Sequence, residues 1–112
     1  MIDERRITKQ AFNLNWLGDT VWLDCSGMVS ASVRVVQYQG TWTTAVLTVV
    51  VDDGPNRTGG IAHPSTITPT SAAPATQVFS VVGYDRIGVR VTTAEGSDSY
   101  ANVTITARAS PA

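Results

Sequence analysis

The sequence predicts an all-β chain folded as a single antiparallel β-sandwich, of jelly-roll or Ig-like type, with an extended N-terminal arm and a long Pro/Thr/Gly-rich loop. Three observations carry this. Val, Ile and Thr make up about a third of the 112 residues, and β-branched side chains favour pleated strands over helices. Period-two alternation recurs. It is clearest in YDRIGVRVTTAEGSDSYANVTITA, where Ile87, Val89 and Val91 alternate with Arg86, Gly88, Arg90 and Thr92. Val103 and Ile105 then alternate with Asn102, Thr104 and Thr106. Turn-forming clusters separate the runs, giving five to eight strands, as a sandwich requires.

Residues 1–18 read as an N-terminal arm and residues 19–112 as the sandwich domain. Along ERRITKQAFNLNWLG the apolar residues Ile7, Phe12, Leu14, Trp16 and Leu17 follow no helical period. DTVWLDC sets Val21, Leu23 and Cys25 against Trp22 and Asp24, a strand pattern. SASVRVVQYQ, Ser30 to Gln39, forms a second strand, with Gly40 turning into TWTTAVLTVVVDD. That third run is apolar on both faces, with Leu47, Val49 and Val51 on one side and Val46 and Val50 on the other, so it is central or covered twice. From Asp52 to Thr76 the chain is rich in Gly, Pro, Thr, Ser and Ala. Loops of this length are uncommon in compact domains, and extended pieces around Ile61 and Ile67 pin this one to a sheet edge, where proline is tolerated. QVFSVVGYD leads into the final ribbon and the tail RASPA closes the chain.

Composition narrows the function. A chain of this length is one domain's worth, and no apolar run approaches the ~20 residues of a membrane span. MIDERRITKQ lacks the apolar region of a signal peptide. With a net charge of -1, no basic field recruits nucleic acid or anionic lipid. Only 15% of residues are charged, against about 25% in soluble domains, which suits a part covered in an assembly.

Catalytic and metal constellations are not legible. Cys25 is the lone cysteine and His63, in IAHPST, the lone histidine, so no nucleophile–base pair is expected and the chain reads as non-enzymatic. Asp19, Asp24, Asp52, Asp53, Asp85, Glu95 and Asp98 fall mostly at strand ends and turns, where Asp bonds locally. Asp52, Asp53 and Asn56 in DDGPN do not match the EF-hand spacing. The sequons at Asn56 and Asn102 carry no weight without a secretion signal. No cofactor is expected.

Recognition chemistry rests on aromatic and arginine side chains. Trp42, beside the Gly40 turn, and Trp22, opposing the inward face of its strand, could both lie on the outside, with the core as the other place open to each. Aromatic residues serve cores, protein interfaces and sugar stacking alike. Arg86 and Arg90 flank Gly88 on the polar side of the ribbon, either solvated or meeting acidic groups of a neighbouring subunit. The arm adds Arg5, Arg6, Ile7, Phe12 and Trp16, a set that could lie along a neighbour.

ASVRVVQYQGTWTTAVLTVVVDDG, a Pro/Thr/Ala loop and VFSVVGYDRIGVRVTTAEGSDSYANVTITARAS resemble, in that order, small structural proteins of tailed bacteriophages. The likeness covers Ser30 to Ser110, with the pattern V-x-G-Y/F-x-R-I-R-V-R-V-T-T, then A-x-V-T-I-x-A, departing where Gly88 stands in place of a common arginine and where the middle loop is longer than expected. The resemblance implies a virion β-sandwich, and most specifically a capsid decoration (cement) protein. It would bind the major capsid protein as a homo-oligomer (a trimer is a common solution), be made in the host cytoplasm, and end on the capsid exterior. A carbohydrate-binding module of a phage tail or head fibre is the alternative; it predicts exposed, coplanar aromatics near Trp22, Trp42 or the long loop.

Overall fold

The computed structural model describes residues 4–42, 44–52, 61–68, 75–96 and 98–109, and of residues 61–65 the backbone alone. The described chain is all-β. Its eight strands are β1 (Glu4–Asn13), β2 (Thr20–Asp24), β3 (Ser30–Gln39), β4 (Val46–Asp52), β5 (Ile61–Ile67), β6 (Ala75–Ser80), β7 (Arg86–Thr93) and β8 (Tyr100–Arg108). They form two antiparallel four-stranded sheets, ordered β1-β8-β3-β6 and β2-β7-β4-β5.

The pairings β1–β8, β2–β7, β3–β6 and β4–β5 describe one long ribbon folded back at β4–β5. Rolling that ribbon adds the β3–β8 and β4–β7 ladders and closes the sandwich. This is the jelly-roll order, which decides between the two sandwich types left open by the sequence.

Alternation fixes which face enters the core. Val33 and Val35 of β3, Leu47, Val49 and Val51 of β4, Ile87, Val89 and Val91 of β7, and Val103 and Ile105 of β8 are all buried. β4 is central in its sheet, between β7 and β5, and its outward Val50 is buried as well.

Two expectations change. Residues 4–13 are an edge strand of the sandwich, registered on β8 from Glu4↔Arg108 to Asn13↔Tyr100, and not an arm lying outside it. Phe12 and Leu14 fill the core, which ties the segment down. Trp42 is buried: the turn at Gly40 folds the indole inward, and its Nε1–H donates to the Gln39 carbonyl at 3.0 Å. Ile61 and Ile67 bound the edge strand β5, where extended pieces pinned to a sheet edge were expected. Asp53, Asn56, the rest of DDGPN beyond Asp52, and the end of the tail lie outside the described residues, as does the His63 side chain.

Candidate functional site

The candidate site is built where the two sheets meet at one side, along the edge strands β1 and β2. A β-bulge in β1 shapes it. The register on β8 shifts between Lys9 and Phe12, and Ala11 adopts a φ of 53°, a conformation uncommon outside glycine. The Asn102 side-chain oxygen accepts the Ala11 N–H at 3.2 Å and anchors the bulge. Before the bulge the odd-numbered residues Arg5, Ile7 and Lys9 share the inward side; after it, Phe12 and Leu14 do.

Between the edges runs a groove of about 440 Å³. Its lining includes Ile7, Lys9 and Phe12 from β1, Thr20 and Trp22 from β2, and Trp16 and Asp19 from the connection. Phe12 is buried, while Trp16 is 63% exposed and Ile7 37%. Leu17, beside Trp16 in sequence, is 66% exposed. Away from the connection, Arg5 bridges the two edges by donating to Asp24 at 2.9 Å. The lining thus offers an aromatic platform, aliphatic surface, hydroxyls and one charge of each sign.

Trp22 reaches the outer face of the second sheet as well. Its register partner is Gly88, which in turn pairs with Val50. A Cβ on Gly88 would stand 2.8 Å from Trp22 Cε3 and 2.9 Å from Thr20 Cγ2. Only a glycine allows this indole to lie against the strand. Arg86 and Arg90 flank the ring, with guanidinium carbons 4.1 and 6.0 Å from its centre. Arg86 is also held by the buried Asp52 carboxylate, to which its Nε–H donates at 3.1 Å, and Arg90 donates to the Thr20 hydroxyl at 2.9 Å.

The nine candidate residues therefore separate. Ile7, Phe12, Trp16 and Trp22 converge on the groove. Arg5 bridges its edges, while Arg6 points to the opposite side of β1, bonded to Glu4 and Thr106. Trp42 and Phe12 are core residues, which withdraws Trp42 from any surface role and leaves Phe12 as groove lining. Arg86 and Arg90 buttress Trp22 within the chain, and the Arg86 charge is met by Asp52 of the same chain. Sequence reasoning missed Thr8, Lys9, Asp19, Thr20 and Val21 as groove lining.

Cys25 is fully buried. Burial, then the nearby carboxylates of Asp24 and Asp85, pushes its thiol up from 9.0 to about 11. That is the setting of an inert thiol.

No protein-family model and no curated protein matches the chain. Among solved structures, the SPBc2 prophage-derived protein YomS is similar over 96% of this chain and 96% of its own, with a TM-score of 0.56 at 9% identity. A structure from the Bacillus endospore appendages, described as a family of disulfide-linked pili, aligns over 96% of this chain and 87% of its own, with a TM-score of 0.42 at 19% identity. The likeness to YomS is one of fold, and a fold alone does not carry a function. The second likeness is too distant to add to it.

Proposed function

We propose that this chain is a non-enzymatic structural protein of a phage virion, a capsid decoration (cement) protein that seats its β1–β2 groove on the outside of the assembled head. The observation that carries the proposal is that exposed Trp16 and Ile7 line one groove together with Trp22, with exposed Leu17 next to Trp16 in sequence. Exposed aromatic and aliphatic side chains gathered in one place are what a protein interface uses. The rest of the molecule is poor in charge, with a net charge of -1, as suits a surface meant to associate. Support for the virion setting is the sequence resemblance over Ser30 to Ser110, with which a fold shared with a prophage-derived protein agrees.

The physics of such a role is simple. A protein that binds only the assembled shell stabilises it by mass action. A symmetric lattice, and any linkage between neighbouring copies, multiplies a modest contact.

One observation favours the carbohydrate reading as a second choice. Trp16 and Trp22 line the same groove as Thr8, Thr20, Asp19 and Lys9, so apolar ring faces and hydroxyl partners stand together. Trp42, one of the alternative positions that reading named, is buried.

Co-sedimentation separates the two. The protein is mixed with expanded capsids lacking it, with unexpanded procapsids and with isolated tails. Saturable binding to expanded shells, weakened by Trp16→Ala, is the expected outcome. Binding to tails, or to no particle while host glycan retains the protein, would discard the cement role and promote the second reading.

A further inference from the structure

We infer that the edge of β6, which no described strand pairs, joins antiparallel with β6 of a second copy, about a two-fold axis centred on Val78, making two four-stranded sheets into one of eight strands. The sandwich has four edge strands: β1, β6, β2 and β5. Exposed edges are templates for pairing, and proteins blunt them with charge, proline, bulges or short length. β1 carries Glu4, Arg5, Arg6 and Lys9 and a bulge. β2 is five residues long and ends in Asp24. β5 contains Pro64, which has no N–H to give. β6, six residues long, has no charge, proline or bulge. From Ala75 to Val82 the sequence ATQVFSVV holds no charge and no proline, and its register on β3 runs from Val35↔Ala75 to Ser30↔Ser80 without a shift.

The ladder shows which groups are on offer. Val81 N–H donates to the Val29 carbonyl at 3.0 Å. Antiparallel pairs alternate between bonded and non-bonded, so Phe79, Gln77 and Ala75 spend their backbone groups on β3. Thr76, Val78 and Ser80 turn their N–H and C=O outward. Among the described residues, no turn or loop backbone bond reaches any of these three. Their side chains are exposed on the outer sheet face, Val78 at 52%.

The occupant follows from the order of those residues. Thr-x-Val-x-Ser is self-complementary when run against itself. A two-fold at Val78 sets Val78 against its own copy, and sets Thr76 against Ser80 twice over. Each pair exchanges two backbone bonds, an apolar β-branched pair sits at the centre, and hydroxyl pairs flank it, all favourable cross-strand combinations. No like charges meet, so nothing opposes a second copy. β6 lies across its sheet from β1, which leaves the β1–β2 groove uncovered. The inference stands whether or not the capsid role does.

The test is sedimentation velocity of the full chain, from about micromolar to about millimolar concentration. A reversible monomer–dimer equilibrium is expected, lost in Val78→Lys and in Val78→Glu, because each sets like charges face to face at the axis. An equimolar mixture of the two variants restores the dimer, with Lys opposite Glu. Val78→Thr keeps it, and Ile7→Lys on β1 leaves it unchanged. The inference is overturned by a wild type that stays monomeric throughout. Persistence of the dimer in Val78→Lys, a mixture that stays monomeric, or loss of the dimer in Ile7→Lys overturns it equally. Since half-exposed Val78 is outside the core, native near-UV circular dichroism in each variant separates loss of pairing from loss of fold.

Discussion

Gly88 shows how one residue position can organise a surface. Its place in the alternation, outward on β7, was legible in the sequence, and so was its oddity among arginines. What it does was not legible, because Trp22 is 66 positions away in the chain and meets it only through the β2–β7 ladder. Gly88→Ala would push a methyl into the indole, as overpacking does. A loss of about 1–3 kcal/mol in urea unfolding is expected, with a change in the near-UV tryptophan signal as Trp22 leaves its place between Arg86 and Arg90. Unchanged stability and spectrum would mean that the ring does not rest on the glycine. Cys25 is the reverse case: its burial was read correctly from the strand pattern. With its thiol raised to about 11, the native protein at pH 8 is expected to resist thiol reagents until it is unfolded. The folded thiol holds its proton where the unfolded one, near 9.0, gives it up. Stability from this group is therefore full below about pH 9 and declines as pH rises towards 11. A Cys25→Ala variant should lose that part of the alkaline slope.

Among the elements, β1 was the one hidden from sequence reasoning, and its bulge is the physical reason. An unbroken strand would keep Ile7 and Phe12 on opposite faces. The extra residue near Ala11 switches the parity, so the apolar positions follow no single period. β3, β7 and β8 were legible because their alternation is uninterrupted over the core-facing residues. Trp42 failed for a different reason: the direction in which a turn sends a side chain depends on its φ, 87° at Gly40, which residue types alone do not reveal. Treating β1 as a strand of the sandwich has a direct consequence. Deleting residues 1–13 removes Phe12 from the core and strips β8 of its outer ladder. The truncated chain is expected to lose cooperative unfolding and native near-UV signal. A stable, cooperatively folded truncation would restore the segment to the status of a detachable arm.

For the whole molecule, the sandwich was legible and its winding was not. Alternating strands demand two faces and a core, but the jelly-roll order depends on which strands meet across long stretches of chain. Each strand of the first half pairs with its mirror in the second, so the contacts that decide between jelly roll and Ig-like order are the most distant in sequence. The same rolling explains why four of the nine groove-lining residues were among the sequence candidates. Ile7, Phe12, Trp16 and Trp22 were chosen as residue types suited to an interface, and closure of the sandwich brings them to one groove. Arg86 and Arg90 were chosen for charge, and the fold turns them towards Trp22 instead. The resulting molecule has two distinct sides: a groove flanked by exposed aromatic and aliphatic residues at β1–β2, and a bare, uncharged strand at β6. The central claim is that the first of these meets a capsid. Cryo-electron microscopy of expanded heads saturated with the protein would place each strand against the shell. Density with Trp16, Leu17 and the β1–β2 groove seated on the major capsid protein is the predicted result; heads without added density, or a molecule docked with that groove facing solvent, would contradict it.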